Sequence, residues 1–462
     1  MRTDTPTAIH LKDYQSPSHL VEHVHLRVQL DPERTVVEST LRIEPQRQAA
    51  LVLDGEGLTL EQLSIDGEPV ERQRYTYEDN RLIIEGTPSA AFTLSITQTC
   101  NPQANTALSG LYVSNGIYCT QMEAEGFRRF AFFPDRPDVM ARFDVRIEAP
   151  RTVPVLLSNG NPGALGVLPD GRHFAEWHDP HPKPSYLFAL VAGDLASITD
   201  SFTTMEGRKV ALGIYVEQGK QDRCAWAMTS LKASMRWDEE RFGRAYDLDV
   251  FNIVAVSDFN MGAMENKGLN VFNDKYILAR PDIATDADYI NIERIIAHEY
   301  FHNWTGNRIT CRDWFQLCLK EGLTVFRDQE FTSDLRSRAV KRIEDVKTLR
   351  ARQFPEDQGP LAHPVRPSSY IEINNFYTPT VYEKGAEICR MIHTAIGAAN
   401  FRKGMDLYFA RCDGTAATVE DFLTALADAS GHDLSGYAKW SVWLCQMVWA
   451  GRHTGCHCKG PA

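Results

Sequence analysis

The stretch "IIAHEYFHNW", Ile295 to Trp304, carries two histidines four residues apart, with a glutamate directly after the first. Residues i and i+4 share one face of a helix, one turn apart. The longer run "DADYINIERIIAHEYFHNW" has Ile292, Ile295 and Ile296 at helical spacing, and Asp286 and Asp288 sit early, where the helix dipole favours acids. On such a helix the imidazoles of His298 and His302 reach a single metal ion. Glu299 is rotated by about 100° from His298, so it reaches a water on that ion without binding the ion itself. The competing reading is an ordinary helix whose polar surface happens to hold two histidines.

A third residue decides between the two. Catalytic zinc sites use three protein ligands and keep one position open for water. After His302 come eighteen residues and then Glu321, in "LKEGLTVF", on the helix predicted over "WFQLCLKEGLTVFRDQEFTSDL". The intervening "TGNRITCRD" is long enough for the two helices to turn back on each other. Glu321 is therefore the expected third ligand. Asp328, seven residues further on nearly the same face, is expected to accept a hydrogen bond from a ligating imidazole.

Outward from this region, the chain changes character once. "HVHLRVQL" alternates Val24, Leu26, Val28 and Leu30 with polar residues, the period of a half-buried strand. "VESTLRIE" and "AFTLSITQ" repeat the pattern, and Asp66-Gly67 in "LSIDGEPV" is a hairpin signal. Short strands between turns predict a β-rich saddle or sandwich. Near Leu195 helical patterns take over, with further helices expected around 338–352, 380–396 and 419–429. The fold expected is multidomain α+β: a β-rich domain over 1–195, a mainly helical catalytic domain over 196–440, and an atypical tail over 441–462.

A second motif, "NMGAMENKG" (Asn260 to Gly268), follows the strand pattern "FNIVAVSDFN". An edge strand there could pair with an extended peptide through main-chain hydrogen bonds, leaving Glu265 near one end of it. Taken by itself it reads better as a methionine-containing strand-to-loop turn.

Bulk properties exclude some classes. The chain has 462 residues and a formal net charge of -12, with 43% hydrophobic and 24% charged residues. No basic stripe offsets that charge, which disfavours nucleic acid and anionic membranes as partners. No apolar run is long enough to span a bilayer, and the opening "MRTDTPTAIHLKDYQSP" is not expected to act as a secretory signal. The ten cysteines include no Cys-x-x-Cys pair, so reduced thiols in the cytoplasm are expected. Cys311 and Cys318 read as inert and buried. His23 and His25 read as solvated. His178 and His181, in "EWHDPHPKPSY", read as a proline-rich loop.

"GAMEN", "HEYFH" and "LKEGLT", in that order, resemble the zinc aminopeptidases of the aminopeptidase N family, gluzincins with a thermolysin-like catalytic domain. The resemblance covers roughly residues 10 to 440. "QMEAEGFRRFAFFPDRPDVMARFDV" and "TVYEKGAEICRMI" are similar to the bacterial type. It implies one Zn2+ per chain held by His298, His302 and Glu321, with Glu299 as general base and Tyr382 stabilising the oxyanion. It also implies that Glu265 and Glu123 hold the substrate's α-amino group. Gln121 and Met261 would line the pocket for the first side chain, and Gly262 and Ala263 would bind substrate backbone. The substrates implied are peptides with a free N-terminal amine. Two other readings stay open, an epoxide hydrolase-aminopeptidase relative and a catalytically silent peptide-binding protein.

Family members continue through a small β-sandwich and a large helical domain. Here the resemblance fades near Trp440, so a C-terminally truncated form with exposed apolar surface is expected. The tail holds His453, Cys456, His457 and Cys458, read as a disordered or frame-shifted segment, with a soft-metal site as the alternative.

Overall fold

The computed structural model describes residues 7–440, and the expectations for the tail beyond them lie outside the described residues. The N-terminal third is β-structure, as the alternation predicted. An eight-stranded sheet runs in the order Asn161–Val167, His173–Lys183, Ala141–Ala149, His19–Gln29, Thr35–Pro45, Phe92–Cys100, Thr59–Ile65 and Glu68–Pro69. Smaller sheets of three and four strands pack with it. Val24, Leu26 and Val28 point inward and are buried. Phe127, Phe130, Phe133, Phe143 and Phe188 interlock at the centre of this core with ring centroids 5.2 to 6.3 Å apart. Asp66 and Gly67 both take positive φ (50° and 87°), the backbone that a two-residue hairpin requires.

One sequence expectation fails here. "EWHDPHPKPSY" is not a loop, because residues 173–183 form a sheet strand. Its prolines are tolerated because they sit where the pairing with Ala141–Ala149 slips between Phe143 and Ala141, and a bulge asks for no regular donor.

A five-stranded mixed sheet begins with Leu195–Thr203. It continues through Lys209–Glu217, Val250–Val256 and Leu269–Asn273 to the two-residue edge strand Ala263–Met264. The helices of this part of the chain are α1 (Ala225–Phe242), α2 (Asp286–Phe301), α3 (Leu317–Leu335), α4 (Arg338–Thr348), α5 (Phe354–Gln358), α6 (Gly385–Ile396), α7 (Ala398–Cys412) and α8 (Val419–Ser430), with α2 packed against the edge strand and between α1 and α3. α1 and α7 were not anticipated by the sequence reading. Among the described residues no helix is long and apolar enough to cross a membrane.

α2 starts where its chemistry says it should. Thr285 caps it and Asp288 returns the bond, a capping box that satisfies two otherwise orphaned backbone donors. Ile292 and Ile296 are buried, while Ile295 lies half-buried against the cleft described next. α3 is buried on nearly every face, charged residues included. It therefore fixes whatever it carries in one position.

Candidate metal centre and peptide cleft

His298 and Glu299 occupy the last turn of α2, and His302 is its C-terminal cap. The two imidazoles face each other, Nε2 to Nε2, at 3.0 Å. Glu321 of α3 directs Oε2 to within 3.4 Å of His298 Nε2 and 3.5 Å of His302 Nε2. Donor atoms around a tetrahedral ion of bond length ~2.1 Å stand about 3.4 Å apart, so these three fit. Glu321 Oε2 is buried with no hydrogen-bond partner. An orphaned carboxylate oxygen between two imidazole nitrogens is costly unless a cation joins them.

The opposite edges of both rings are engaged. His298 Nδ1 lies 2.9 Å from Asp328 Oδ2, as the spacing of Glu321 and Asp328 on α3 suggested. His302 Nδ1 lies 3.0 Å from the Thr305 carbonyl. Carbonyls and carboxylates only accept, so each Nδ1 carries the proton and each Nε2 lone pair is left for a metal.

Two further carboxylates, Glu123 and Glu265, converge alongside. Lys320 Nζ sits 2.7 Å from Glu123, 2.6 Å from Glu265 and 2.6 Å from Glu321, with its side chain 1% exposed. Glu123 comes from the N-terminal β-domain and Glu265 from the turn after the edge strand, so the cluster ties the two halves together. Burial pushes Glu123 up to about 8, against the pull of Lys320. Burial works the same way on Glu265, but His302 and Lys320 outweigh it and hold that carboxyl below its ordinary range. Burial also pushes Glu299 well above the usual carboxylate range, helped by Glu265 and Glu321. His298 is raised to about 10: burial opposes the charge, yet the neighbouring Asp328 and Glu321 carboxylates prevail. The neighbourhood is starved of positive charge, which again suits a cation.

These groups line a cleft of about 290 Å³, with Met261, Gly262, Ala263, Tyr377 and Tyr382 on its walls. Ala263–Met264 is the free edge of its sheet, the position the sequence suggested for pairing with a peptide. Gln121 is buried and reaches the cleft through Met261, its amide 2.9 Å from the sulfur. Tyr382 stands on a single π turn, Thr380–Lys384, ahead of α6, its ring stacked 6.4 Å from that of His298. Burial raises its phenol well above the ordinary value, so it stays a hydrogen-bond donor.

Sequence reading missed Lys320 beside the cleft and several residues that line it, Tyr276, Arg294 and Tyr377 among them. Lys320 lies inside the quoted "LKEGLT", but nothing in the pattern marked it as buried. Tyr377 lines the cleft with its hydroxyl unpartnered.

Comparison with known proteins bears on the whole arrangement. Residues 226–443 match the peptidase family M1 domain, and residues 16–187 match the peptidase M1 N-terminal domain. The chain is 59% identical to an aminopeptidase N of Caulobacter vibrioides and 57% identical to one of Escherichia coli. Those alignments cover 95% of this chain and 51% and 50% of those proteins. Among solved structures, an aminopeptidase A of Legionella pneumophila in complex with aspartic acid superposes with a TM-score of 0.89 at 36% identity. That match covers 94% of this chain and 50% of the other. The chain thus spans about half the length of the relatives it matches.

Proposed function

This chain belongs to peptidase family M1, and from that premise we propose that it is a zinc-dependent aminopeptidase that removes the first residue of peptides. One observation carries the reading. The His298–His302–Glu321 triad and the Glu123–Glu265 pair share one cleft, which supports a metal-ligand set standing beside carboxylates able to take an amine.

One zinc ion would be held by His298 Nε2, His302 Nε2 and Glu321 Oε2. Bound there, it would polarise the scissile carbonyl and acidify the attacking water. Glu299 takes the proton from that water and delivers it to the leaving amine. Its upward-shifted carboxyl suits both halves of the transfer. Tyr382 donates its O–H to the oxygen that gains charge. Glu265 and Glu123 accept hydrogen bonds from the peptide's α-ammonium, next to the Lys320 ammonium that they already neutralise. An internal peptide segment offers no such cation, so cleavage is confined to the terminus. Gly262 and Ala263 pair with substrate backbone at the sheet edge, and Met261, backed by Gln121, meets the first side chain. The seven described cysteines are all free, which suits a reducing compartment, and we assign the enzyme to the cytoplasm on that ground.

The test is a panel of amino-acid anilides with and without a chelator, each compared with its N-acetylated form. Chelator-sensitive hydrolysis of free-amine substrates only is expected. Equal cleavage of acetylated and free substrates would overturn the exopeptidase reading. Hydrolysis of an epoxide substrate in the same panel would favour the epoxide-hydrolysing relative.

A further inference from the structure

Outside the cleft, on the solvent-exposed face of the eight-stranded sheet, a second histidine cluster forms from three strands. His25 of His19–Gln29, Asp144 of Ala141–Ala149 and His178 of His173–Lys183 stand in one register row: Asp144 is paired with His25 on one side and with His178 on the other. His23 joins from the same face. A bulge at Glu22 resets the alternation, so Val21 and Val24 both point inward while Glu22 and His23 turn out. Histidines two positions apart on a strand then project the same way.

The donor atoms converge. His23 Nε2 lies 2.8 Å from Asp144 Oδ2, and His25 Nδ1 lies 3.3 Å from the same oxygen. All three ligand atoms lie within 4.8 Å of one another. The catalytic triad of this chain shows the same kind of spacing, 3.0 to 3.5 Å. His178 Nδ1 lies 2.7 Å from the other carboxylate oxygen, Oδ1, and so orients it. Gly163 leaves room for that ring: a Cβ there would come within 2.5 Å of His178 Nε2. Nearby guanidiniums are turned elsewhere, Arg142 to Glu22 at 2.9 Å and Arg42 toward Glu44 at 3.7 Å.

We propose that His23 Nε2, His25 Nδ1 and Asp144 Oδ2 form a second metal site, open to solvent, for a divalent late transition ion of the zinc class, with His178 positioning the carboxylate. Imidazole-rich sets suit zinc, nickel and copper, whereas calcium and magnesium ask for oxygen ligands. Two or three protein ligands at an exposed strand face leave coordination positions for water. The competing account is an aspartate ion-paired with protonated histidines, which has no use for a metal.

Equilibrium dialysis against micromolar Zn2+, with bound metal counted by atomic emission, separates the two. The wild type is compared with the double variant His23→Ala/His25→Ala and with Asp144→Asn. The histidine side chains are 31% and 55% exposed, so their loss leaves the core intact, and circular dichroism checks that. The site requires one zinc equivalent per chain fewer in the double variant, weaker retention in Asp144→Asn, and anilide turnover at the wild-type level. Equal zinc in wild type and double variant, or a difference that appears only at millimolar zinc, overturns the proposal. So does turnover that falls together with the lost equivalent. If no variant, wild type included, hydrolyses anilides, the aminopeptidase reading fails while the zinc count still judges this site.

Discussion

Glu299 stands beside the proposed ligands without completing their triad, and this separates its chemistry from metal retention. Glu299→Gln keeps the shape of the side chain but cannot take a proton. Its zinc content, by atomic emission, is expected to match the wild type while kcat falls by at least about 10²-fold. A variant with near wild-type turnover would remove Glu299 from the mechanism. Asp328 acts one step further out. Asp328→Asn weakens the acceptor that orients His298, so zinc affinity in a competing-chelator titration is expected to drop about 10- to 100-fold. At this scale the sequence was highly legible where spacing alone fixes geometry: the histidines stand four positions apart, and Glu321 and Asp328 seven. Lys320 was not legible, because a lysine beside a glutamate reads as solvated charge. Its burial follows from α3 being enclosed on all sides, which no local pattern reports. Tyr377 lies in an irregular segment with no periodicity to place it.

Elements meet in the cleft through two glycines that motif reading leaves unexplained. Gly322 follows Glu321 on α3, and Gly385 opens α6 just after Tyr382. A Cβ on Gly322 would stand 2.8 Å from the Gly385 carbonyl carbon, and one on Gly385 would stand 3.0 Å from Gly322 Cα. Backbone cannot yield there as a side chain would, so the helices touch because both residues lack a side chain. Gly322→Ala is expected to cost about 1–3 kcal/mol in urea unfolding. It should also lower kcat, because parting α3 from α6 shifts Glu321 relative to Tyr382. An unchanged urea midpoint would refute the contact. The same scale explains which helices the sequence revealed. α2 and α8 announce themselves through Thr-x-x-Asp capping boxes. α1 hides, because Ser230, Ser234 and Asp238 lie on its buried face and blur the apolar stripe. α7 keeps a regular stripe through Phe401, Met405, Tyr408 and Cys412, but Gly397 and Gly404 read as breaks. Gly404 is in fact a packing residue, since a Cβ there would meet Leu426 of α8 at 2.3 Å.

The order of the motifs along the chain foretold a β-rich half followed by a helical one, but not how the halves are joined, because the joints are single polar residues far apart in sequence. Glu123 is one joint. Asp247 is another, and it holds more of the molecule. Its carboxylate accepts from Lys267 at 2.5 Å, Arg308 at 2.7 Å and Asn303 at 3.2 Å, and lies 3.4 Å from His181 on the β-domain strand. Lys267 follows the Glu265 turn, and Asn303 follows His302. The β-domain, the Glu265 turn and the end of α2 are therefore tied at one carboxylate. Burial alone would raise Asp247, but Lys267 and His181 outweigh it and hold the carboxyl well below its ordinary value of 3.8. An acid depressed on folding contributes stability above its unfolded value and loses it as pH falls. Wild-type stability should therefore decline below about pH 3.8 in part through this group. Asp247→Asn leaves Lys267 buried without its charge partner, which costs about 3–5 kcal/mol near neutral pH. The stability gap between wild type and variant should then narrow as pH drops from 5 toward 3, read from urea midpoints across that range. A gap that stays constant would show that Asp247 carries no linked proton, and the joint would be held by packing alone.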